Sequence, residues 1–285
     1  MITDQDQDQD RPAPHAIAVS ARTVIEGCFS PAGTAELATV YDLGLAVGLS
    51  EQTVRLTIRR MQAVGELRQL GRGRAGTLER TVSGAERVRL EARLLAFAFA
   101  HDAGSAPWDG LWHIHAFTVP EARRAERDAL RGALTTLGAA QLVPGVYVSP
   151  HELRPELEHM VTPELVAEFL MTATSAALEV PGCADARAIA ERLWPAAPTV
   201  AAYAELEAVL ASPDPGTDRP IDVAARALML AEGLDRALAQ DPLLPPELRT
   251  APWPPVAARA AFLGEWQALE SRAPDFPVFA AYDTE

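Results

Sequence analysis

The chain has 285 residues, of which 48% are hydrophobic and 22% are charged, and its formal net charge is −14. This length is sufficient for two or three domains with substantial cores, and no apolar run approaches the roughly 18 residues that span a bilayer. We therefore expect a soluble globular protein and exclude a helical membrane protein.

The N-terminus is strongly acidic, because aspartates at positions 4, 6, 8 and 10 alternate with glutamines. This pattern is opposite in character to a signal peptide and predicts an acidic disordered tail over residues 1–19 of a cytoplasmic protein. Cys28 and Cys183 are isolated, without CxxC or Cys/His ligand spacing. They are interpreted as small buried hydrophobic residues, in preference to a metal site, a disulfide or a redox pair, and no cofactor is expected.

Residues 37–81 have the order of elements of a winged helix-turn-helix. A first helix is predicted over about Ala38–Val47, and Gly48-Leu49-Ser50 forms the turn. Ser50 can cap a second helix over Glu51–Val64. On this helix an apolar stripe at positions 54, 58 and 61 predicts one buried face. The opposite face and its flanks carry side chains that can contact bases or phosphates, namely Gln52, Thr53, Arg55, Leu56, Arg59 and Arg60.

Two apolar segments, Glu66–Leu70 and Thr77–Val82, then predict a hairpin. The intervening Gly71-Arg72-Gly73-Arg74-Ala75-Gly76 has glycines that allow a tight reversal and arginines at its tip. Such a tip is typical of a wing that lies against a phosphate backbone.

Charge supports DNA binding, because the basic residues of this acidic chain are clustered. Nine arginines against four glutamates give residues 50–90 a net charge of +5, so the rest of the chain carries −19. The alternative is that these arginines only solvate the surface in a chain that contains no lysine. Their position on the exposed helix face and at the hairpin tip favours DNA.

The middle of the chain predicts a ferredoxin-like domain. A linker helix over Ala85–His101 is followed by a strand over Leu111–Val119, a helix over Glu121–Leu137, and strands over Gln141–Val143 and Val146–Val148. A helix over His151–Val166 and an apolar segment over Phe169–Val180 complete the order strand, helix, strand, strand, helix, strand.

The remainder is predicted to be helical and interrupted by prolines. The helical segments are Ala184–Trp194, Thr199–Ala211, Val223–Leu238 and Val256–Ser271. The stretch from Asp241 to Pro255 is too rich in proline for a helix interior and is expected to be an ordered connector or an exposed strap.

The predicted fold class is α+β and mostly helical, with a winged helix-turn-helix, a ferredoxin-like middle domain and an all-helical C-terminal domain. The predicted boundaries are 1–19 for the tail, 20–84 for the winged helix, 85–106 for the linker helix, 107–182 for the middle domain and 183–285 for the helical domain.

With these elements in place, the sequence resembles the PaaX family of bacterial transcriptional repressors over about residues 20–272. The resemblance is carried by four colinear segments: Thr53-Val54-Arg55 with Arg59, Arg60 and Gly65; Trp108-Asp109-Gly110-Leu111-Trp112; Pro144-Gly145-Val146-Tyr147-Val148; and Asp241-Pro242-Leu243-Leu244-Pro245-Pro246-Glu247-Leu248 with Trp253-Pro254. The last segment is the most specific, because its length and proline spacing are hard to reach by chance.

The resemblance implies a dimeric repressor of a catabolic or related operon that a small-molecule effector releases from DNA, with the helical C-terminal domain as the dimer surface. In the best-known members the effector is phenylacetyl-CoA, which we do not transfer to this chain. Two features depart from the family: Thr77-Leu78 replace the aromatic residue expected after the wing tip, and the acidic N-terminal extension is additional.

We expect two copies to place their second helices in successive major grooves of a pseudo-palindromic operator. Base readers are predicted to be Gln52, Thr53 and Arg59, whereas the phosphate ligands are predicted to be Arg55, Arg60, Arg72 and Arg74. Ser50 and Leu56 complete the predicted DNA-binding set.

The effector site is expected between the middle and helical domains, where an acyl-CoA would require cations for its phosphates. The aromatic and basic candidates are Trp112, His113, His115, Arg123, Arg124, Trp194 and Trp253. The alternative for each is structural: the tryptophans as core anchors, the histidines as the solvated face of a strand, and the two arginines as a helix surface paired with Glu121 and Glu126.

An enzyme is not expected. The middle domain resembles the fold of CRISPR-associated ribonucleases, but Phe117-Thr118-Val119-Pro120 lacks the aspartate that they carry at the end of the first strand. No GxSxG, Walker, HExxH or dinucleotide-binding motif is present, and His151 and His159 have spacing typical of a charged helix surface and not of a metal site. A protein-protein adaptor that docks through the winged helix is the remaining alternative, and salt-sensitive duplex binding distinguishes it from a DNA-binding protein.

Overall fold

A computed structural model describes residues 17–214, 216–217 and 219–281. Most of the predicted acidic tail lies outside these residues, although Ile17 and Val19 are described and buried. The helices are Ala21–Glu26 (α1), Leu37–Ala46 (α2), Glu51–Ala63 (α3), Val82–Asp102 (α4), Arg124–Thr136 (α5), Arg154–Met160 (α6), Pro163–Phe169 (α7), Ala186–Leu193 (α8), Ala196–Ala202 (α9), Ala204–Ala211 (α10), Pro220–Leu238 (α11) and Pro254–Arg272 (α12). The strands are Thr34–Glu36 (β1), Leu67–Leu70 (β2), Thr77–Arg80 (β3), Trp112–Phe117 (β4), Ala140–Val143 (β5), Val146–Ser149 (β6) and Leu170–Ser175 (β7).

The chain divides into two compact units. The first unit contains Met1–Arg87, Glu205–Gly233 and Ala261–Glu285, and the second unit contains Val88–Ala204 and Leu234–Ala260. The segment predicted as the helical C-terminal domain therefore contributes residues to both units.

A small antiparallel sheet and three helices begin the first unit. The sheet has the order β1-β3-β2, and Leu78 of β3 lies opposite Ala35 of β1 and Gln69 of β2. The sequence did not reveal β1, since a strand of three residues has too little alternation to detect. Helices α2 and α3 pack closely, because a β-carbon at Gly44 would lie 3.0 Å from Cγ2 of Val54. The order helix, strand, helix, helix and hairpin is that of a winged helix.

The second unit contains a four-stranded antiparallel sheet in the order β5-β6-β4-β7. Helix α5 joins β4 to β5, and α6 and α7 join β6 to β7, so the predicted ferredoxin-like order is confirmed. One sheet face packs a core that includes Phe117, Tyr147 and Leu134. The opposite face packs a core that includes Trp112 and Trp194.

Two local predictions in this unit were wrong. The single helix expected over His151–Val166 is two helices, because Pro163 cannot donate the backbone hydrogen bond that would continue α6 and instead begins α7. His115 does not lie on a solvated face, since only 2% of it is exposed. Both faces of β4 are covered, so alternation along the strand does not separate solvent from core.

A buried ionic network holds the proline-rich connector in the second unit. Arg259 is fully buried and donates to Asp102 through Nε at 2.5 Å and Nη2 at 2.7 Å, and to Oδ2 of Asp241 at 2.7 Å. Tyr203 donates to the same oxygen of Asp241 at 2.7 Å. Burial by itself lowers the pKa of Arg259, but its bonds to Asp102 and the nearby negative charges raise that pKa above its ordinary value. The guanidinium is therefore charged and paired, and the connector is ordered.

Candidate DNA interface

Helix α3 begins at a side-chain cap and buries one stripe. Oγ of Ser50 accepts a hydrogen bond from the Thr53 amide at 3.1 Å, as the sequence predicts. The residues of the predicted apolar stripe, Val54, Ile58 and Met61, are at most 3% exposed. The stripe fixes the rotation of α3 about its axis, so the side chains on the opposite face lie in solvent.

The exposed face of α3 carries the residues predicted to bind DNA. Gln52, Arg59 and Arg60 are exposed, and Leu56 is 43% exposed although it is apolar. The hydroxyl of Thr53 lies 2.9 Å from that of Ser50, so it belongs to the helix cap as well as to this face. Nε-type and amide donors beside an exposed aliphatic group match the donors, acceptors and thymine methyl of a major groove.

The arginines of the basic segment fall into two groups. Arg59, Arg60 and Arg72 are exposed and have no hydrogen-bond or ion-pair partner within the described part of the chain. Arg55 lies 3.6 Å from Glu51 on the same helix, and Arg68 donates to Glu79 across the hairpin at 2.6 Å. The cations free to bind an external anion are thus fewer than the sequence count indicates.

Arg74 does not point outward as a wing-tip phosphate ligand was expected to. Its guanidinium pairs with Asp42 of α2, donates to Glu51 of α3 at 3.0 Å and lies 5.9 Å from the centre of the Tyr41 ring. The hydrogen bond to Asp42 is the main cause of its raised pKa. Arg74 therefore ties the hairpin tip to both helices, and Arg72 is the tip arginine left unpaired.

Close backbone approaches define the hairpin tip. Gly71 and Gly73 have φ angles of +75° and +62°, which favour glycine. A β-carbon at Gly76 would lie 2.9 Å from the carbonyl oxygen of Leu70. The glycines therefore fix the turn that places Arg72 beside α3's end of the hairpin sheet, and larger residues would open it.

A second charge cluster, which the sequence did not reveal, supports the base of the winged helix. Arg22 donates to Glu66 at 2.8 Å and to Glu26 at 3.0 Å, and Arg87 pairs with Glu26. The partners are separated by up to 61 residues, so only the folded chain brings them together. Arg87 consequently belongs to the structure of the unit and not to its exposed basic surface.

The tryptophans proposed for an effector site form a core contact. The rings of Trp112 and Trp194 stack at 6.2 Å with an interplanar angle of 4°, and the indole of Trp194 donates to the carbonyl of Gly138 at 2.7 Å. His115 lies over the opposite sheet core, and its burial lowers its pKa to about 4. His113 lies 3.6 Å from Asp109.

The proposed effector arginines do not join the tryptophans. Arg123 pairs with Glu126 at 2.5 Å and Glu168 at 2.7 Å and lies over the ring of Phe169, which packs against the core on the other sheet face. Arg124 is exposed and lies 3.7 Å from Asp128. The sheet itself separates these cations from the pair of tryptophans.

Trp253 and a nearby cavity complete the inventory of effector candidates. The Arg249 guanidinium lies 5.7 Å from the Trp253 ring centre, and the indole N–H of Trp253 has no partner among the described residues. Separately, a cavity of about 550 Å³ is lined by Trp108 and Trp112 with Glu179, Asp185 and apolar residues. The seven candidates therefore do not converge on one pocket with a cationic lining.

The comparisons with known proteins identify the central domain. Residues 105–188 match the family model described as the PaaX protein central Cas2-like domain. The chain therefore carries the central domain of the PaaX family, and the family predicted from the sequence is confirmed through this domain. No curated protein matches the sequence significantly.

Among solved structures, the chain is similar to an uncharacterised protein, Rv0674, from Mycobacterium tuberculosis. The two share 22% sequence identity, the TM-score is 0.53, and the match covers 90% of this chain and 97% of that one. At this identity the likeness establishes the fold, and the predicted α+β fold class is confirmed. In the described residues, neither a helix able to span a membrane nor a cluster of three metal-ligating side chains is found.

Proposed function

We propose that this protein is a transcriptional regulator that binds double-stranded DNA through its winged helix. The observation that carries the proposal is the set of three exposed arginines, Arg59, Arg60 and Arg72, that have no partner within the described residues of an acidic chain. Exposed guanidinium groups on a helix and a neighbouring hairpin tip can neutralise phosphates on both sides of a groove. The PaaX-family central domain supports a role in transcriptional regulation.

The residues of the interface have different proposed roles. Gln52, Thr53 and Arg59 read base edges in the major groove, and Leu56 contacts a thymine methyl group. Arg55, Arg60 and Arg72 hold phosphates. Ser50 caps α3, and Arg74 positions the hairpin through Asp42 and Glu51, so both act on DNA through the geometry of other groups.

The finer proposal is a dimeric repressor that a small molecule, such as an acyl-CoA thioester, releases from a pseudo-palindromic operator. The resemblance to PaaX repressors supports it, and two-fold half-sites about one helical turn apart, or a multiple of that, would match two copies of α3. Because the seven effector candidates lie on both faces of the central sheet, we propose that only a subset of them contacts the effector.

Fluorescence anisotropy on duplexes from the chain's own promoter region tests this function. We expect tight binding that weakens with salt, and release by one member of a panel of acyl-CoA thioesters. Salt-sensitive binding that no thioester alters would retain the regulator and reject the effector class. Absence of binding to any duplex would reject DNA binding and favour a winged helix that docks to proteins.

A further inference from the structure

The exposed edges of the two sheets differ in how they are protected against pairing. At one edge of the four-stranded sheet, β5 has an irregular register between Gln141 and Val143 and is followed by Pro144. In the small sheet, β1 has three residues and β2 carries Arg68. Bulges, prolines, short strands and charges all discourage an additional strand. None of these features is present in β7, the remaining edge.

Strand β7 is exposed over most of its length. Its residues 171–174 are exposed, and Met171 is 66% exposed although it is a large apolar residue. No charged residue occurs from Leu170 to Leu178. A neutral strand of six residues with an uncovered edge is a template for pairing with another strand.

The direction of the backbone groups follows from the strand register. The amide of Phe117 donates to the carbonyl of Gly145, so the residues of β4 with odd numbers bond toward β6 and those with even numbers bond toward β7. Since Ile114 lies opposite Ala173, the backbone of Ala173 bonds β4, whereas those of Thr172 and Thr174 point outward. Neither threonine has a backbone partner on that side among the described residues.

We propose that the outer edge of β7 pairs antiparallel with β7 of a second copy of this chain, about a two-fold axis at Ala173. This register places Thr172 of one copy opposite Thr174 of the other, so each such pair exchanges two N–H···O bonds and packs two threonine side chains. Ala173 faces its own counterpart at the axis, where its small side chain allows the closest approach.

Charge identifies the occupant as a second copy. Each chain carries a net charge of −14, so most surfaces of two copies repel each other, whereas the neutral stretch from Leu170 to Leu178 allows approach. The edge has no charge pattern that would select a different partner. The interface gives the proposed dimer a surface in the central domain, and it does not depend on whether the chain binds DNA.

Sedimentation velocity over a concentration series tests the interface with the full chain. Thr172→Pro removes an outward N–H without removing a bond to β4, and Thr172→Ala is the matched control that keeps the N–H. We expect dimerisation by the wild type and by Thr172→Ala, and a dissociation constant raised about 30-fold or more by Thr172→Pro, because each dimer loses two backbone hydrogen bonds.

Disulfide trapping gives a second readout that does not need Thr172→Pro to fold. Ala173→Cys, made together with Cys183→Ala, places two thiols at a non-hydrogen-bonded pair whose Cα atoms are about 4.5 Å apart, within the range that a disulfide bridges. With oxidised glutathione it should form a covalent dimer, whereas Val143→Cys on the other edge should not. A wild type that stays monomeric at every concentration would overturn the proposal. So would a dimer that neither Thr172→Pro weakens nor Ala173→Cys traps.

Discussion

Arginine has opposite environments in the two units of this lysine-free chain. On α3 and at the hairpin tip of the first unit, Arg59, Arg60 and Arg72 are exposed and have no partner within the described residues. In the second unit, Arg259 is fully buried, and its guanidinium contacts Asp102, Asp241 and Tyr203. An exposed, unpaired cation is available to an external anion, whereas a buried, paired one contributes to the fold. Pairing and burial therefore distinguish the two roles better than residue type does.

The largest expected effect is on stability in the second unit. Arg259→Met should lower the free energy of unfolding by about 3–5 kcal/mol, because it leaves the carboxylates of Asp102 and Asp241 buried without their cation. Urea denaturation followed by circular dichroism measures the change. Arg68→Ala is the control, since its exposed pair with Glu79 should contribute no more than about 1 kcal/mol. Equal losses in the two variants would remove the contrast between buried and exposed arginines.

Acidification should also act on the second unit. Burial lowers the pKa values of His115 and His151 to about 4, against about 6.5 in the unfolded chain. The unfolded state therefore binds more protons between these values, so stability is complete above about pH 6.5 and is lost as the pH falls toward 4. Each histidine should cost about 2 kcal/mol between pH 7 and pH 5.

Denaturation at the two pH values, with His115→Leu as the comparison, measures this dependence. Leucine keeps the site apolar and removes a ring whose two nitrogens have no partner in the described part of the chain. The variant should lose about half of the pH dependence. An unchanged dependence would show that His115 is not a buried neutral group.

In the first unit, the largest single effect on DNA binding is expected at Arg59. Arg59→Ala should weaken binding to the operator by about 1–3 kcal/mol and relax discrimination among operator variants, because the side chain is proposed to read a base. Competition binding with single-base variants of the operator measures this. Thermal unfolding should be unchanged, since Arg59 is exposed. A loss that is equal for all sequences would move Arg59 to the phosphate-binding group.

The smallest effect is expected at Arg72. Arg72→Ala should weaken binding to all duplexes alike and reduce the salt slope by about one unit, as the loss of one phosphate contact predicts. Arg74→Ala is the informative neighbour, because it removes the ties to Asp42 and Glu51 and should also lower thermal stability. If Arg74→Ala changed only the salt slope, the guanidinium would contact phosphate and not position the hairpin.

The elements that the sequence predicted well depend on local signals. Ser50 at the start of α3 and the stripe at 54, 58 and 61 lie within a few turns of one helix, so cap and buried face can be read directly. The order of strands and helices in the central domain follows from hydrophobic periods and turns in the same way. These signals were sufficient for the fold class and for the exposed face of α3.

The missed features depend on contacts between distant residues. Arg74 lies 32 residues from Asp42, and Arg87 lies 61 residues from Glu26, so composition counted both as free cations. His115 was wrongly placed in solvent because helices and connector cover both faces of β4. Among effector candidates, the sequence showed that aromatic and basic groups were present but not that the sheet separates them.

The most direct test of DNA binding through α3 and the hairpin compares two triple variants. One replaces Arg59, Arg60 and Arg72 by alanine, and the other replaces Arg93, Arg124 and Arg131, which are equally exposed but lie in the second unit. Both lose three positive charges, so net charge is matched. The account predicts that the first variant loses about three units of salt slope in anisotropy titrations on the promoter duplex while the second keeps the wild-type slope. Equal losses, or no loss in the first variant, would contradict it.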